Sequence, residues 1–199
     1  MQMTWRRIFL PPATLVLLAV VLPPLATAGR AVFAAHMLQH LLLIVTVAPL
    51  IALAWPSKPP PVYAWVLFVT IFLFWHWPVA FRWADQTEVT RLLEFTSILV
   101  AATTFWMAAF HVLGPGAAAL YVVSAAVATD LPGVIMIFAP TAICAMPGER
   151  AVIWHLTPLA DQQLAGLLMW VPANLIFFSI AIALVARWFS VPAHKMVTI

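Results

Sequence analysis

The chain has 199 residues, of which 65% are hydrophobic and only 8% are charged, and its formal net charge is +3 at pH 7. Soluble domains carry about a quarter of charged residues, so this composition, with a mean hydropathy of +1.07, excludes an ordinary soluble domain. The basic residues are scattered, which excludes a nucleic-acid-binding surface and leaves the lipid bilayer as the expected surroundings.

Apolar stretches long enough to cross a bilayer, about 18 residues or more, recur along the whole chain. They predict an all-α integral membrane protein, a bundle of about six transmembrane helices with short loops, in a single domain over 1–199. The predicted spans are, in chain order, residues 8–26, 33–54, 62–81, 92–113, 117–143 and 164–188. Segments rich in proline, glycine or charge separate them and are typical of turns, at residues 55–61, 82–88, 114–116 and 146–158.

The first span has a second interpretation. Two arginines precede an apolar stretch that ends at Ala26–Ala28, "ATA", which is the pattern of a cleaved signal peptide. The stretch is long for a signal peptide and four prolines interrupt it, so we expect a retained helix.

Six spans place both termini on the same side of the membrane. That side carries five basic residues and the opposite side four, so the positive-inside rule favours cytoplasmic termini in a bacterial plasma membrane. The five are Arg6, Arg7, Lys58, Arg187 and Lys195, and the four are Arg30, Arg82, Arg91 and Arg150. This orientation predicts an outer-side group of His36, His40, His76, His155 and Asp161, and an inner location for His111 and His194.

Two histidines interrupt the apolar stretch "AAHMLQHLLL" at residues 34–43. His36 and His40 are four residues apart, so their rings lie on one face of a helix. They are either two packed imidazoles or a metal site, and we favour the metal. Imidazole suits several transition metals, while the thioether of Met37 adds a preference for Cu(I). Zinc is the weaker candidate because the single cysteine, Cys144, lies elsewhere in the sequence.

Further candidates surround this pair. His76 in "WHWP" is the third histidine ligand, whereas a lone His155 is more typical of an interfacial residue, and Met169 is either a nearby thioether or simple packing. Ionisable residues at membrane depth are usually functional, and Asp130 and Glu94 both occupy spans. Asp130 is expected to carry a proton or to hold a helix that Pro132 and Gly133 kink or unwind.

Four motifs resemble, in the same order, the CtaG-type cytochrome c oxidase assembly factors, membrane proteins associated with caa-type haem–copper oxidases. The motifs are "HMLQHLLL", "APLIAL", "WHWP" and "TPLADQQLAGLLMWVP", within residues 30–185. The resemblance implies a non-enzymatic role in oxidase assembly, through supply or insertion of copper at the catalytic subunit. It carries over to His36, Met37, His40, His76, Asp161, Gln162 and Gln163.

The sequence departs from the family pattern at the start of the fourth span. "RLLEFTS" places Arg91 and Phe95 where family members usually have a second histidine pair. Arg91 is expected to pair instead with Glu94, three residues later on the same helix face.

The expected mechanism is transfer of copper. Cu(I) from an outer-side copper chaperone rests between the histidines, which Asp161, Gln162 and Gln163 order by hydrogen bonds, and then passes to the oxidase catalytic subunit. The alternatives are a haem-binding membrane electron carrier, with haem between His40 and His76, a metal-free structural subunit of the oxidase, and a copper or proton transporter.

Overall fold

The computed structural model describes residues 2–144 and 155–190, and these ranges contain helices and no strands. The predicted all-α membrane fold is therefore confirmed. The α-helices are α1 Gln2–Val21, α2 Leu25–Ala31, α3 Phe33–Leu42, α4 Ala48–Ala54, α5 Pro61–Trp75, α6 Pro78–Ala84, α7 Glu88–His111, α8 Pro115–Phe138 and α9 Pro158–Ser190, with a π-helical segment Leu43–Val47 between α3 and α4.

Within the described ranges, five helical stretches are long and apolar enough to cross a membrane, and a sixth results if the bent pair α5 and α6 is counted as one span. Three predicted spans differ in form, the first, the third and the fifth. The first ends at Val21, and α2 follows Pro23 and Pro24 as a separate short helix. In the fifth span a kink or an unwound turn was expected at Pro132, and the unwound form is wrong, because α8 is a continuous helix through Pro132.

The second span keeps its helical path through a π-helical turn. Pro49 has no N–H, so it cannot pair with a carbonyl in the preceding turn. The Ala48 N–H reaches back five residues to the Leu43 carbonyl, and the next such bond, from residue 49 to Ile44, cannot form. The Trp106 indole Nε1–H donates to the Ile44 carbonyl instead, at 2.8 Å. A buried tryptophan of α7 therefore satisfies the acceptor that the proline leaves open.

The third predicted span, 62–81, is not one straight helix. α5 ends at Trp75 and the chain turns by 79° into α6. The cause is Pro78, which lacks an N–H and forces Trp77 before it into an extended conformation. The bend leaves His76 at the end of α5, facing the interior of the bundle rather than lipid.

Aromatic side chains fill the centre of the bundle. Phe68, Phe105, Trp106 and Phe177 come from α5, α7 and α9 and are almost completely buried. Ring centroids in this group lie 4.8 Å apart for Phe68 and Phe105 and 5.3 Å apart for Trp106 and Phe177. This packed layer holds α5, α7 and α9 together next to the end of α5 where His76 lies.

α8 and α9 form the most extensive helix pair among the described elements, and two glycines allow it. A Cβ at Gly166 would lie 2.7 Å from the Gly133 carbonyl oxygen, and one at Gly133 would lie 3.2 Å from the Gly166 carbonyl oxygen. Small residues permit such close approach in membranes. The crossing brings the polar residues of α9 to the bundle interior.

Replacement of Gly166 by alanine is predicted to force α8 and α9 apart, because the obstructing atom is backbone and cannot rotate away. Overpacking of this kind costs about 1–3 kcal/mol, measured as a lower midpoint of unfolding in detergent. Gly114→Ala is the control, since no atom lies within 4 Å of its added Cβ. Equal stability of both variants would contradict the close crossing.

Trp106→Phe is predicted to leave the Ile44 carbonyl without a donor inside the bundle. A buried unsatisfied acceptor costs about 1–3 kcal/mol, again measured by unfolding in detergent. Trp77→Phe, at a position with 67% of its surface exposed, is expected to change stability by less than about 0.5 kcal/mol. A Trp106→Phe protein as stable as this control would show that the indole hydrogen bond contributes nothing.

Candidate metal centre

Three histidines that are distant in sequence meet inside the bundle. His36 and His40 lie one turn apart on α3, with ring centroids 4.5 Å apart. His76, at the end of α5, places its ring centroid 5.4 Å from that of His40. All three side chains are buried, so the predicted convergence of these histidines is seen, although the structure does not define which side of the membrane they occupy.

A carboxylate completes the group. Glu94 of α7 has no exposed surface, and its Oε1 lies 3.2 Å from His36 Nε2 and 3.4 Å from His40 Nε2. One ligand atom from each of these three residues lies within 4.8 Å of the others. The sequence indicated Glu94 as an ionisable residue in a span, but its contact with the histidines depends on how α7 packs against the later part of the second span, the π-helical segment and α4, which no local pattern shows.

Arg91 does not pair with Glu94, so that prediction is wrong. The guanidinium Nη2 lies 3.2 Å from Asp85 Oδ1, 3.4 Å from the Gly29 carbonyl oxygen and 3.4 Å from His36 Nδ1. Asp85 precedes α7, and the long arginine side chain extends towards that end of the helix, while Glu94, one turn later, faces the bundle interior.

Phe95 stands where the family resemblance led us to expect a histidine. Its ring centroid lies 5.4 Å from that of His36 and 5.3 Å from that of His40. It therefore packs an apolar surface against both imidazoles, and the substitution removes one donor without opening a gap beside the pair.

A small cavity adjoins the histidines. Its volume is about 30 Å³, which is room for about one water-sized particle. Among the residues that line it, the potential nitrogen and sulfur donors to a metal are His40, His76, Met37 and Met169. The structure thus brings the predicted ligand Met37 and the predicted neighbour Met169 to one space beside two of the histidines.

Asp130 and Asn174 lie at the same cavity. The Asn174 Nδ2–H donates to Asp130 Oδ1 at 2.6 Å and to the Trp170 carbonyl at 2.9 Å. The carboxylate at mid-span therefore links α8 to α9. The sequence analysis identified Asp130 but not its amide partner, which lies 44 residues away.

Asp161, Gln162 and Gln163 do not bond the histidines, so the predicted contacts are wrong for the described residues. The Asp161 carboxylate accepts the backbone N–H groups of Phe33 and Ala34, both at 2.8 Å. Gln162 accepts two backbone N–H groups near Cys144, and Gln163 donates to the Ile137 carbonyl at 3.3 Å. Asp161 thus holds the start of the helix that carries His36 and His40, whereas Gln162 and Gln163 hold the end of α8 and the chain that follows it.

Asp161 acts as a capping residue supplied by another helix. α3 begins at Phe33 and has no side-chain cap of its own, so its first N–H groups need acceptors from elsewhere. A carboxylate at a helix N-terminus is also favoured by the helix dipole. Asp161 therefore sets the start of α3, one turn before His36.

Two of the remaining histidines are not part of the buried group. His155, which the orientation assigned to the same side as the three, is exposed, with a left-handed backbone φ of 55°. His111, at the end of α7, bonds the Ala52 carbonyl through Nε2 at 2.9 Å. His194, like Arg150, Lys195 and most of the predicted turn 146–158, lies outside the described residues.

The single cysteine is buried close to Met37 and Met136. Burial raises the pKa of the Cys144 thiol to about 11, although the charge of Arg82 acts in the opposite direction. The thiol is therefore protonated at neutral pH, and since thiolate is the form that binds metals, Cys144 is a poor ligand.

The comparison with known families agrees with the motifs. A family model described as cytochrome c oxidase caa3 assembly factor matches residues 2–59 and 60–190. No curated protein and no solved structure gives a significant match to the chain.

Asp161→Asn is predicted to destabilise the protein by about 2 kcal/mol, because the amide offers one acceptor where two backbone N–H groups need them, and one buried donor stays unsatisfied. Unfolding in detergent measures the loss. Gln163→Ala, at the exposed neighbouring site with one long hydrogen bond, is expected to cost less than about 0.5 kcal/mol. Equal effects of the two substitutions would contradict the capping role.

Proposed function

The chain belongs to the family of cytochrome c oxidase caa3 assembly factors, and on this premise we propose that it binds copper and aids its delivery to the oxidase catalytic subunit. A role in assembly and an oxidase partner follow from the family, which is described by assembly and not by catalysis. The helices that are long and apolar enough to cross a membrane agree with a membrane location. The copper role is our proposal.

The observation that carries it is the buried group of His36, His40 and Glu94, whose ligand atoms lie within 4.8 Å of one another. A carboxylate without exposed surface is costly unless it is paired. Three atoms here have no hydrogen-bond partner among the described residues, Nδ1 of His40, Nε2 of His76 and Oε2 of Glu94, and His40 Nε2 has only the longer contact of 3.4 Å with Glu94 Oε1. Buried polar atoms without partners fit a site that receives a cation.

The donor types favour copper. Imidazole and thioether groups together select Cu(I) over zinc or magnesium, and Met37 and Met169 line the cavity beside His40 and His76. Thiolate, which would favour tight zinc binding, is not supplied by the protonated Cys144. A site without thiolate binds less firmly, which suits cargo that must leave again.

We place the protein in a bacterial plasma membrane with cytoplasmic termini and the histidine group on the outer side. The count of basic residues on the two sides supports this orientation. An outer-side copper chaperone is then the expected donor, and the catalytic subunit of the oxidase is the acceptor.

The geometry is less favourable to the haem alternative. The rings of His40 and His76 are in edge contact, with centroids 5.4 Å apart, and the adjoining cavity holds about 30 Å³. A haem needs a pocket of some hundreds of Å³, so it does not fit between the two rings.

Copper analysis of the detergent-purified protein after loading with Cu(I) tests the proposal. We expect about one copper per chain in the natural protein and loss of that copper in a His36→Ala/His40→Ala double variant, because both substitutions remove imidazoles from the buried group. An absorption spectrum of the same sample reports any bound haem.

His111→Ala is the matched control, because His111 bonds the Ala52 carbonyl away from the site and its loss is expected to leave copper binding unchanged. A natural protein that binds no copper but co-purifies with the oxidase would contradict the proposal and favour the metal-free subunit.

A further inference from the structure

The hydrogen bonds around Glu94 determine which ring nitrogens carry protons. An arginine only donates, so Arg91 Nη2, 3.4 Å from His36 Nδ1, makes that nitrogen an acceptor. In a neutral imidazole the proton then sits on His36 Nε2, which faces Glu94 Oε1 at 3.2 Å. Both ring nitrogens of His36 are therefore engaged.

His40 faces the same carboxylate oxygen. Its Nε2 lies 3.4 Å from Glu94 Oε1, and two lone pairs at that distance would repel, so the proton of a neutral His40 belongs on Nε2. The lone pair is left on Nδ1, which has no hydrogen-bond partner in the described part of the chain.

His76 shows the same division between its two nitrogens. A carbonyl oxygen only accepts, so His76 Nδ1–H donates to the Phe72 carbonyl, at 2.6 Å. The lone pair is left on Nε2, which also lacks a partner among the described residues. A metal-binding histidine usually donates the N–H of its other ring nitrogen to a backbone carbonyl or a carboxylate, which orients the ring.

Both histidines with a free lone pair line the 30 Å³ cavity, together with Met37 and Met169. We propose that this cavity is the Cu(I) position, with His40 Nδ1, His76 Nε2 and the two thioethers as the donors, and with His36 and Glu94 as positioning residues that fix the tautomer of His40. This inference rests on the proposed copper function and names its ligands.

The ligand set accounts for two features that a site on the His36 and His40 pair leaves unexplained. Phe95 replaces an expected histidine beside His36 and His40, yet the cavity lies between His40, His76 and α9 and loses no donor by that change. Asp130, the carboxylate at the cavity, accepts the Asn174 Nδ2–H through Oδ1. Imidazole and thioether, which the other lining residues supply, are donor types that suit Cu(I).

X-ray absorption spectroscopy at the copper edge of the Cu(I)-loaded natural protein is the direct test. We expect scattering from nitrogen and from sulfur. A Met37→Leu/Met169→Leu double variant keeps the side-chain volume and is expected to lose the sulfur signal and to bind Cu(I) at least tenfold more weakly in competition with a chelator. Met107→Leu, in the partly buried rim of the aromatic core, is the control and is expected to change neither quantity.

Histidine variants separate ligands from positioning residues. His76→Ala is expected to weaken Cu(I) binding more than His36→Ala does. Glu94→Leu is expected to weaken it about 10- to 100-fold, the range seen for groups that support a metal ligand, while the sulfur signal remains. Glu94→Gln retains an acceptor oxygen for His40 Nε2–H, and we expect it to restore part of the affinity.

Two results would overturn the inference while the copper function stands: copper bound without a sulfur signal, or copper lost in His36→Ala but kept in His76→Ala. Either would place the ion among His36, His40 and Glu94. A natural protein that takes up no copper at all would overturn the proposed function, and this inference with it.

Discussion

The structure depends on one requirement, that polar groups inside a membrane find their partners within the protein. Trp106 donates to the carbonyl that Pro49 leaves open in the second span. Asp161 accepts hydrogen bonds from the first N–H groups of α3, and the Phe72 carbonyl accepts a hydrogen bond from His76 Nδ1–H. Because these partnerships are specific, the buried side-chain atoms of the described residues that lack one stand out, and four of the seven belong to His40, Glu94 and His76.

Much of the fold follows from the sequence because span length and hydropathy are local properties. Alternation of spans across a membrane assigns each helix end to a side, and His36, His40 and His76, which it assigned to one side, do meet, whereas His155, assigned to the same side, is exposed. The bend after Trp75 follows from Pro78, but residues 62–81 were predicted as one span because their length and hydropathy are those of a single transmembrane helix. The continuous helix through Pro132 shows the reverse: neighbours in a bundle allow a proline without a break.

The contacts of the site were less predictable because they depend on which helix faces which. Glu94 lies one turn from Arg91, and a local rule pairs the two, but the carboxylate instead contacts two imidazoles of α3. Asp161 and its neighbours in "ADQQ" looked like partners of side chains and proved to be partners of backbone. Predicting such contacts requires knowing how the helices are rotated relative to one another, and the sequence of a single helix does not give this.

The bond from Asp161 to the start of α3 joins positions 128 residues apart, and this has a consequence for biosynthesis. During translation, the segment with His36 and His40 enters the membrane long before α9 is made. Until α9 inserts, α3 lacks its cap, and the cavity lacks the wall that contains Met169 and Asn174. The last described helix therefore completes the surroundings of the histidines, so in a half-made chain the helix with His36 and His40 is not yet capped and the cavity beside His40 is not yet closed.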